Sequence, residues 1–245
     1  MSQHYFERLI AEAAARLPMT PLQAVIETDD LPAEKLAALI DHTLLKPEAN
    51  AEQILTLCEE ARRFQFASVC VNPSWASLCI EQLAGTSVAV CSVVGFPLGG
   101  NTTESKVIEA EELVSMGVRE IDMVLNIGRL KDREYTYVYE EVQQVVDISA
   151  GAVVKVILEN CLLNESEKIA ACVLCKEAGA HFVKTSTGMN TGGALVEDVS
   201  LMRRVVGVEM GVKAAGGIRD YRTAIAMLNA GADRIGASAS VEIIS

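Results

Sequence analysis

The sequence predicts an α/β fold, a (β/α)8 TIM barrel that carries an N-terminal helical extension. Three observations lead there. From residue 39 onward, eight short apolar runs alternate with amphipathic stretches, the pattern of parallel strands covered by helices. The units occupy about 200 residues, about 25 each, the length of a strand, a helix and two short loops. Several amphipathic stretches stop at a glycine (Gly85, Gly117, Gly179 and Gly231), where a helix end calls for a left-handed residue. The competing architecture is a doubly wound open sheet. It ordinarily carries a nucleotide loop, and no G-x-G-x-x-G follows the first strand.

Residues 1–38 read as the extension, with a helix near 4–17 and a second after Pro32. Residues 39–245 read as the barrel. Its first four strands are LIDHTLL (39–45), FASVCV (66–71), SVAVCSVVG (87–95) and REIDMVLN (119–126). AVVKVILE (152–159), HFVKTS (181–186), GVKAAG (211–216) and ADRIGA (232–237) complete the set. Among the intervening helices are AEQILTLCEEARRF, TTESKVIEAEELVSMG and NESEKIAACVLCKEAG. Each has apolar residues at helical spacing and a charged opposite face.

Half of the 245 residues are apolar and 22% are charged, a globular composition. No run is long enough to span a bilayer. The N-terminus mixes Glu7 and Glu12 with Arg8 and Arg16, unlike a signal peptide or presequence, so the cytoplasm is the expected compartment. A net charge of −12 with no Lys/Arg run argues against nucleic acid. It leaves room for an anionic substrate in a locally positive pocket. Cys172 and Cys175 form a C-x-x-C inside a continuous helical pattern. With no flanking turn and no second pair, buried reduced thiols fit better than a metal or redox site.

Four consecutive strands carry a charge inside their apolar runs: Asp122, Lys155, Lys184 and Lys213. Lys155 to Lys184 and Lys184 to Lys213 are both steps of 29 residues, about one unit, so each lysine is expected at a comparable height. The inward phase then pairs Lys184 with Ser186, Lys213 with Ala215 and Asp122 with Asn126. A single strand lysine usually marks an edge where the ammonium reaches water. A closed barrel has no edges, which leaves structural ion pairing or chemistry to explain the set. The chemical reading has a clear rationale. An ordinary lysine, with a pKa of about 10.4, is almost never neutral at pH 7. A second ammonium in a desolvated site favours the neutral, nucleophilic amine. A nearby carboxylate can move protons as a carbinolamine becomes an imine. Two lysines and an aspartate on neighbouring strands thus point to Schiff-base carbonyl chemistry, which needs no metal or cofactor.

The last two strands run into AAGGIRD and GASAS, placing Gly216, Gly217, Gly236 and Ser238 at their ends. Bare backbone N–H groups there commonly bind phosphate, and Gly188 after the sixth strand adds another donor.

Taken together, the segments DHTLLKP, FASVCVNP, VVGFPLGGNTTESK, EIDMVLNIG, KVILENCLL, FVKTSTG, VKAAGGIR and RIGAS resemble the deoxyribose-phosphate aldolase family. The resemblance covers nearly the whole barrel, in order. It implies that Lys184 forms the Schiff base, Lys213 is the second lysine and Asp122 the acid–base aspartate. It also implies that Asp41 is a hydroxyl-binding residue and that Lys155 joins the same polar network. The implied partners are a small phosphorylated sugar and aldehydes: reversible cleavage of 2-deoxy-D-ribose 5-phosphate to acetaldehyde and D-glyceraldehyde 3-phosphate, in deoxyribonucleotide catabolism. Family members are often dimers, so a homodimer is the assembly the resemblance suggests. The residues alone leave open another lysine-dependent aldolase or transaldolase, or a phosphosugar-binding barrel whose lysines are structural. Two departures stand out. Met189 occupies a place where some relatives have a phosphate-contacting lysine, and Ala239 follows Ser238 where some have a second serine. Both predict weaker phosphate retention. The sequence ends at Ser245 without the tyrosine-bearing tail of some relatives, so assistance from such a tail is not assumed.

Overall fold

A computed structural model describes residues 1–17, 26, 28, 31–149 and 151–245. Eight parallel strands close into one barrel in chain order, β1 to β8, with β8 pairing back onto β1. They are β1 Ile40–Leu44, β2 Ser68–Val71, β3 Ala89–Val94, β4 Glu120–Val124, β5 Val153–Ile157, β6 Phe182–Lys184, β7 Gly211–Ala215 and β8 Arg234–Ala237. Before them come α1 Gln3–Arg16 and α2 Ala33–Ala37; α3 Ala51–Phe64, α4 Ala76–Gln82 and α5 Thr103–Met116 follow the first three strands. Then come α6 Ile127–Lys131, α7 Tyr135–Ile148, α8 Glu165–Glu177, α9 Val196–Val206, α10 Tyr221–Asn229 and α11 Ser240–Ile244.

Local chemistry sets the boundaries. Asn50 with Gln53 and Asn164 with Glu167 form reciprocal capping boxes that open α3 and α8, each contributing about 1 kcal/mol. The four stop glycines all take positive φ; Gly117, for example, sits at +105° and closes α5. Outward-facing strand residues such as Val69, Ile121, Val154, Val183, Val212 and Ile235 pack under the helices in the main core. Burying each contributes about 1.5–3 kcal/mol.

The extension folds onto the barrel's jacket. Phe6 of α1 is fully buried, its ring 4.9 Å from that of Tyr139 in α7. The Gln3 side chain donates to the Arg133 carbonyl and accepts from the Tyr135 N–H. Leu36 and Ala37 of α2 are buried in the main core. The rest of the expected extension, residues 18–25, 27, 29 and 30, lies outside the described residues. Among the described residues no helix is long and apolar enough to cross a membrane.

Candidate active site

The lumen of the barrel is divided. Toward β2 and β3 it is apolar and thiol-lined, by Leu45, Cys70, Cys91 and Val93. Toward β4–β8 and the adjoining β1 it is charged. Asp122, Lys155 and Lys213 are fully buried and Lys184 is 2% exposed. Asp122 is the hub. Its Oδ2 accepts from Lys184 Nζ at 2.8 Å and from Lys213 Nζ at 2.7 Å, and its Oδ1 accepts from Lys155 Nζ at 2.9 Å.

The registers explain this convergence. Asp122 pairs with Lys155, and Lys184 pairs with Lys213. The expectation of equal height holds for Lys184 and Lys213 but fails for Lys155, which pairs with Phe182, two residues below Lys184. Equal sequence spacing does not give equal height here, because the β5–β6 register is offset by two residues against that spacing. Lys155 therefore lies one layer below Lys184, reaches Asp122 from its own level, and also binds Glu120 at 2.6 Å. Ser186 is buried in the layer above Lys184. Asn126 is not paired above Asp122; β4 ends at Val124, and the Asn126 side chain turns to cap α6 by accepting from the Arg129 N–H.

A second tier completes the network. Asp41 is fully buried, binds Lys213 at 2.5 Å and Arg234 at 2.6 Å, and lies 3.7 Å from Lys155. Arg234 also approaches Glu120 at 3.4 Å, closing the lower end of the lumen. Four cations thus share three carboxylates. Burial alone would raise the Asp122 carboxyl, but Lys155, Lys184 and Lys213 outweigh it and hold the group well below the ordinary carboxylate range. Burial disfavours the charged forms of Lys213 and Lys155, yet the carboxylates around them prevail and keep both ammonium groups above the ordinary lysine value. Lys184 accordingly sits beside a lysine that stays charged, both bound to one oxygen. Cys70, Cys91 and Asp122 bring ligand-type atoms together. The Lys155 ammonium already lies against two of them, 3.5 Å from Cys91 Sγ and 2.9 Å from Asp122. The C-x-x-C cysteines, Cys172 and Cys175, are buried free thiols in α8.

Above the network, at the carboxyl ends of the strands, opens a cavity of about 310 Å³. Of the sequence-predicted residues, Lys184, Gly188, Gly216, Gly217, Gly236 and Ser238 line it. Asp122, Lys213, Asp41 and Lys155 do not; they stand beneath, engaged with one another. Gly188, Gly216 and Gly217 all have positive φ, +80°, +91° and +80°, which presents backbone at the mouth without side chains. Gly236 serves differently. A Cβ there would lie 2.9 Å from Lys213 Cε, so the glycine makes room for the lysine stem.

Sequence reasoning misses five residues. Glu120 and Arg234 look like ordinary strand-start charges, yet both join the network. Glu159, buried past β5 at φ +55°, accepts from the Thr187 N–H at 3.3 Å and from the Thr187 hydroxyl. It holds the loop after β6 over Lys184. Lys46 and Arg219 line the cavity from loops. Among the described residues neither pairs with a carboxylate, and no carboxylate lines the cavity. A chain of net charge −12 has thus built a pocket whose charged walls are all cationic.

Comparison with known proteins agrees with this geometry. Residues 35–243 match the model of the DeoC/LacD family aldolase. The deoxyribose-phosphate aldolase of Clostridium tetani is 56% identical over 211 residues, 86% of this chain and 98% of that protein. That of Caldanaerobacter subterraneus subsp. tengcongensis is 60% identical over 212 residues, 85% and 92% of the respective chains. A crystal structure of a proposed deoxyribose-phosphate aldolase from Coccidioides immitis superposes with a TM-score of 0.94 at 41% identity, covering 100% of this chain and 97% of that one. The tetrameric deoxyribose phosphate aldolase of Aeropyrum pernix gives a TM-score of 0.81 at 34% identity, with coverage of 96% and 95%.

Proposed function

The chain belongs to the DeoC/LacD aldolase family, and from that premise we propose that it cleaves 2-deoxy-D-ribose 5-phosphate reversibly to acetaldehyde and D-glyceraldehyde 3-phosphate through a Schiff base on Lys184. One observation carries the assignment of the nucleophile. Among the described residues, Lys184 is the only amine that is both bound to Asp122 and part of the cavity wall. Lys213 and Lys155 hold charge beneath it, and Lys46 has no carboxylate partner among the described residues.

The chemistry follows from that placement. The neutral Lys184 amine attacks C1 of the open-chain sugar, and loss of water from the carbinolamine leaves a protonated imine. The C3 hydroxyl gives up its proton as the C2–C3 bond breaks. The bonding pair moves into an enamine, and C3 leaves as the aldehyde of glyceraldehyde 3-phosphate. Protonation of the enamine carbon and hydrolysis of the imine release acetaldehyde and return Lys184. Asp122, whose Oδ2 touches both lysines, is placed to move protons at Lys184, and Lys213 holds a positive charge beside it. Asp41 and Lys155 act from below by fixing Lys213 and Asp122. The backbone N–H groups around Gly188, Gly216, Gly217 and Gly236, with the Ser238 hydroxyl, receive the phosphate. This reaction belongs to deoxyribonucleotide catabolism in the cytoplasm. A homodimer is the assembly carried forward, to be read by sedimentation equilibrium.

The test is covalent. Incubation with acetaldehyde followed by borohydride should add one reduced two-carbon unit, mapped by mass spectrometry to the peptide containing Lys184. Labelling elsewhere, or none, removes the proposal. Product analysis with acetaldehyde and glyceraldehyde 3-phosphate separates this reaction from that of another lysine-dependent aldolase.

A further inference from the structure

The cavity rim shows where a dianion's charge would be met. Met189, on the β6 side, lines the cavity without a charge and is 46% exposed. Lys46 stands on another side, just past β1. His42 of β1 pairs with Ala237 of β8. By continuation of that register Thr43 and Ser238 are neighbours, and both line the cavity. Lys46 follows three residues after Thr43, in the loop past β1, and lines the same cavity.

Its backbone is pinned. Asn72 donates to the Leu45 carbonyl at 3.3 Å, and the Ala49 N–H donates to the Lys46 carbonyl at 3.1 Å. Pro47 follows and restricts Lys46 to extended backbone. A fixed backbone position thus carries an exposed lysine with no carboxylate partner among the described residues. An unpaired cation at the edge of a carboxylate-free pocket is arranged to meet an anion.

We propose that Lys46 is a specificity-determining residue whose ammonium binds the substrate phosphate, supplying from β1 the charge that Met189 does not supply from β6. The proposal rests on the phosphosugar reading above. It runs against the expectation that Met189 weakens phosphate retention: the rim is uncharged at Met189 and carries an ammonium at Lys46. Lysine suits the place because a long flexible stem brings a point charge to an oxygen without demanding the planar geometry of a guanidinium.

The readout is the ratio of kcat/KM for 2-deoxyribose 5-phosphate to that for 2-deoxyribose. In Lys46→Met this ratio should fall about tenfold or more, chiefly through KM on the phosphorylated sugar. Lys46→Arg should restore most of it. Adding Met189→Lys to Lys46→Met should restore it too, since charge at either rim position serves. An unchanged ratio in Lys46→Met overturns the assignment, as does an equal loss on both sugars. Calorimetric titration with inorganic phosphate gives a second measure that needs no turnover. Its Kd should weaken in Lys46→Met, and an unaltered Kd counts against the proposal. Should the wild type cleave neither sugar, the proposed reaction fails, and the phosphate titration still decides the role of Lys46.

Discussion

The lumen of the barrel and its helical jacket both bury charge, and they do so in opposite ways. In the jacket each charge has its own partner. Lys106 of α5, fully buried, gives one hydrogen bond to Glu141 at 2.8 Å and one to the Val124 carbonyl at 2.9 Å. Arg203 of α9 is shared out among Asp233 and the carbonyls of Gly231, Gly207 and Met210. In the lumen, three lysines converge on one aspartate, and cations outnumber carboxylates. A one-to-one buried pair is a structural device, its desolvation cost offset by a single partner. A cluster whose charges are shared among several partners under an open cavity is suited to chemistry instead.

The largest expected effects separate the two regions. Lys184→Leu should abolish turnover, by about 10⁴-fold or more, and remove the amine that borohydride traps in the wild type. Because it removes a surplus cation, the thermal midpoint should stay level or rise. A large fall in midpoint would show that the lumen is as structural as the jacket. Lys106→Met should do the reverse. It strands a buried Glu141, costs about 3–5 kcal/mol in urea unfolding, and leaves turnover per folded molecule intact. Adding Glu141→Leu should recover most of that stability. Smaller again is Gly236→Ala, whose methyl displaces the Lys213 stem. We expect about a tenfold fall in kcat with near-wild-type unfolding, because the strain falls on a side chain that positions Asp122.

How much of this can be read from the sequence follows the same division. The four lumen charges Asp122, Lys155, Lys184 and Lys213 stand out because each interrupts an apolar strand, where an ammonium or carboxylate is conspicuous. Glu120 and Arg234 begin their strands, where charge is ordinary. Their role depends on Arg234 reaching across to Asp41 and Glu120 inside the closed lumen, a proximity that no local pattern encodes. The height of Lys155 is illegible for a related reason, as register depends on how neighbouring strands stagger. Lys106 is hidden for another: its partner Glu141 lies 35 residues away on a different helix, and each alone reads as part of a solvated face. Lys46 and Arg219 sit in loops, where only the assembled cavity shows that they face the same space.

Two adjacent residues of β1 offer the finest test of the division. Asp41 points into the lumen, while His42 points into the jacket, its Nδ1 2.9 Å from Ser240 and its Nε2 2.8 Å from Glu60. Burial holds His42 below the ordinary imidazole value of 6.5, against the opposing pull of Glu60. Burial would raise the Asp41 carboxyl, but Lys213, Lys155 and Arg234 dominate and hold it below its ordinary 3.8. Both folded values are depressed, so in each case the unfolded state binds more protons as pH falls, and stability falls with it. The windows differ. His42 begins to cost stability as pH drops through about 6.5, and Asp41 only as it drops through about 3.8. Urea midpoints should therefore decline between about pH 7 and pH 5 in the wild type, and less steeply in His42→Gln, which keeps polar contacts but cannot titrate. The difference should be modest, because the Glu60 side chain is 38% exposed and solvent screens the pair. An unchanged slope in His42→Gln would mean that groups other than His42 set the decline in this range, and the assignment of that window to the jacket histidine would not hold.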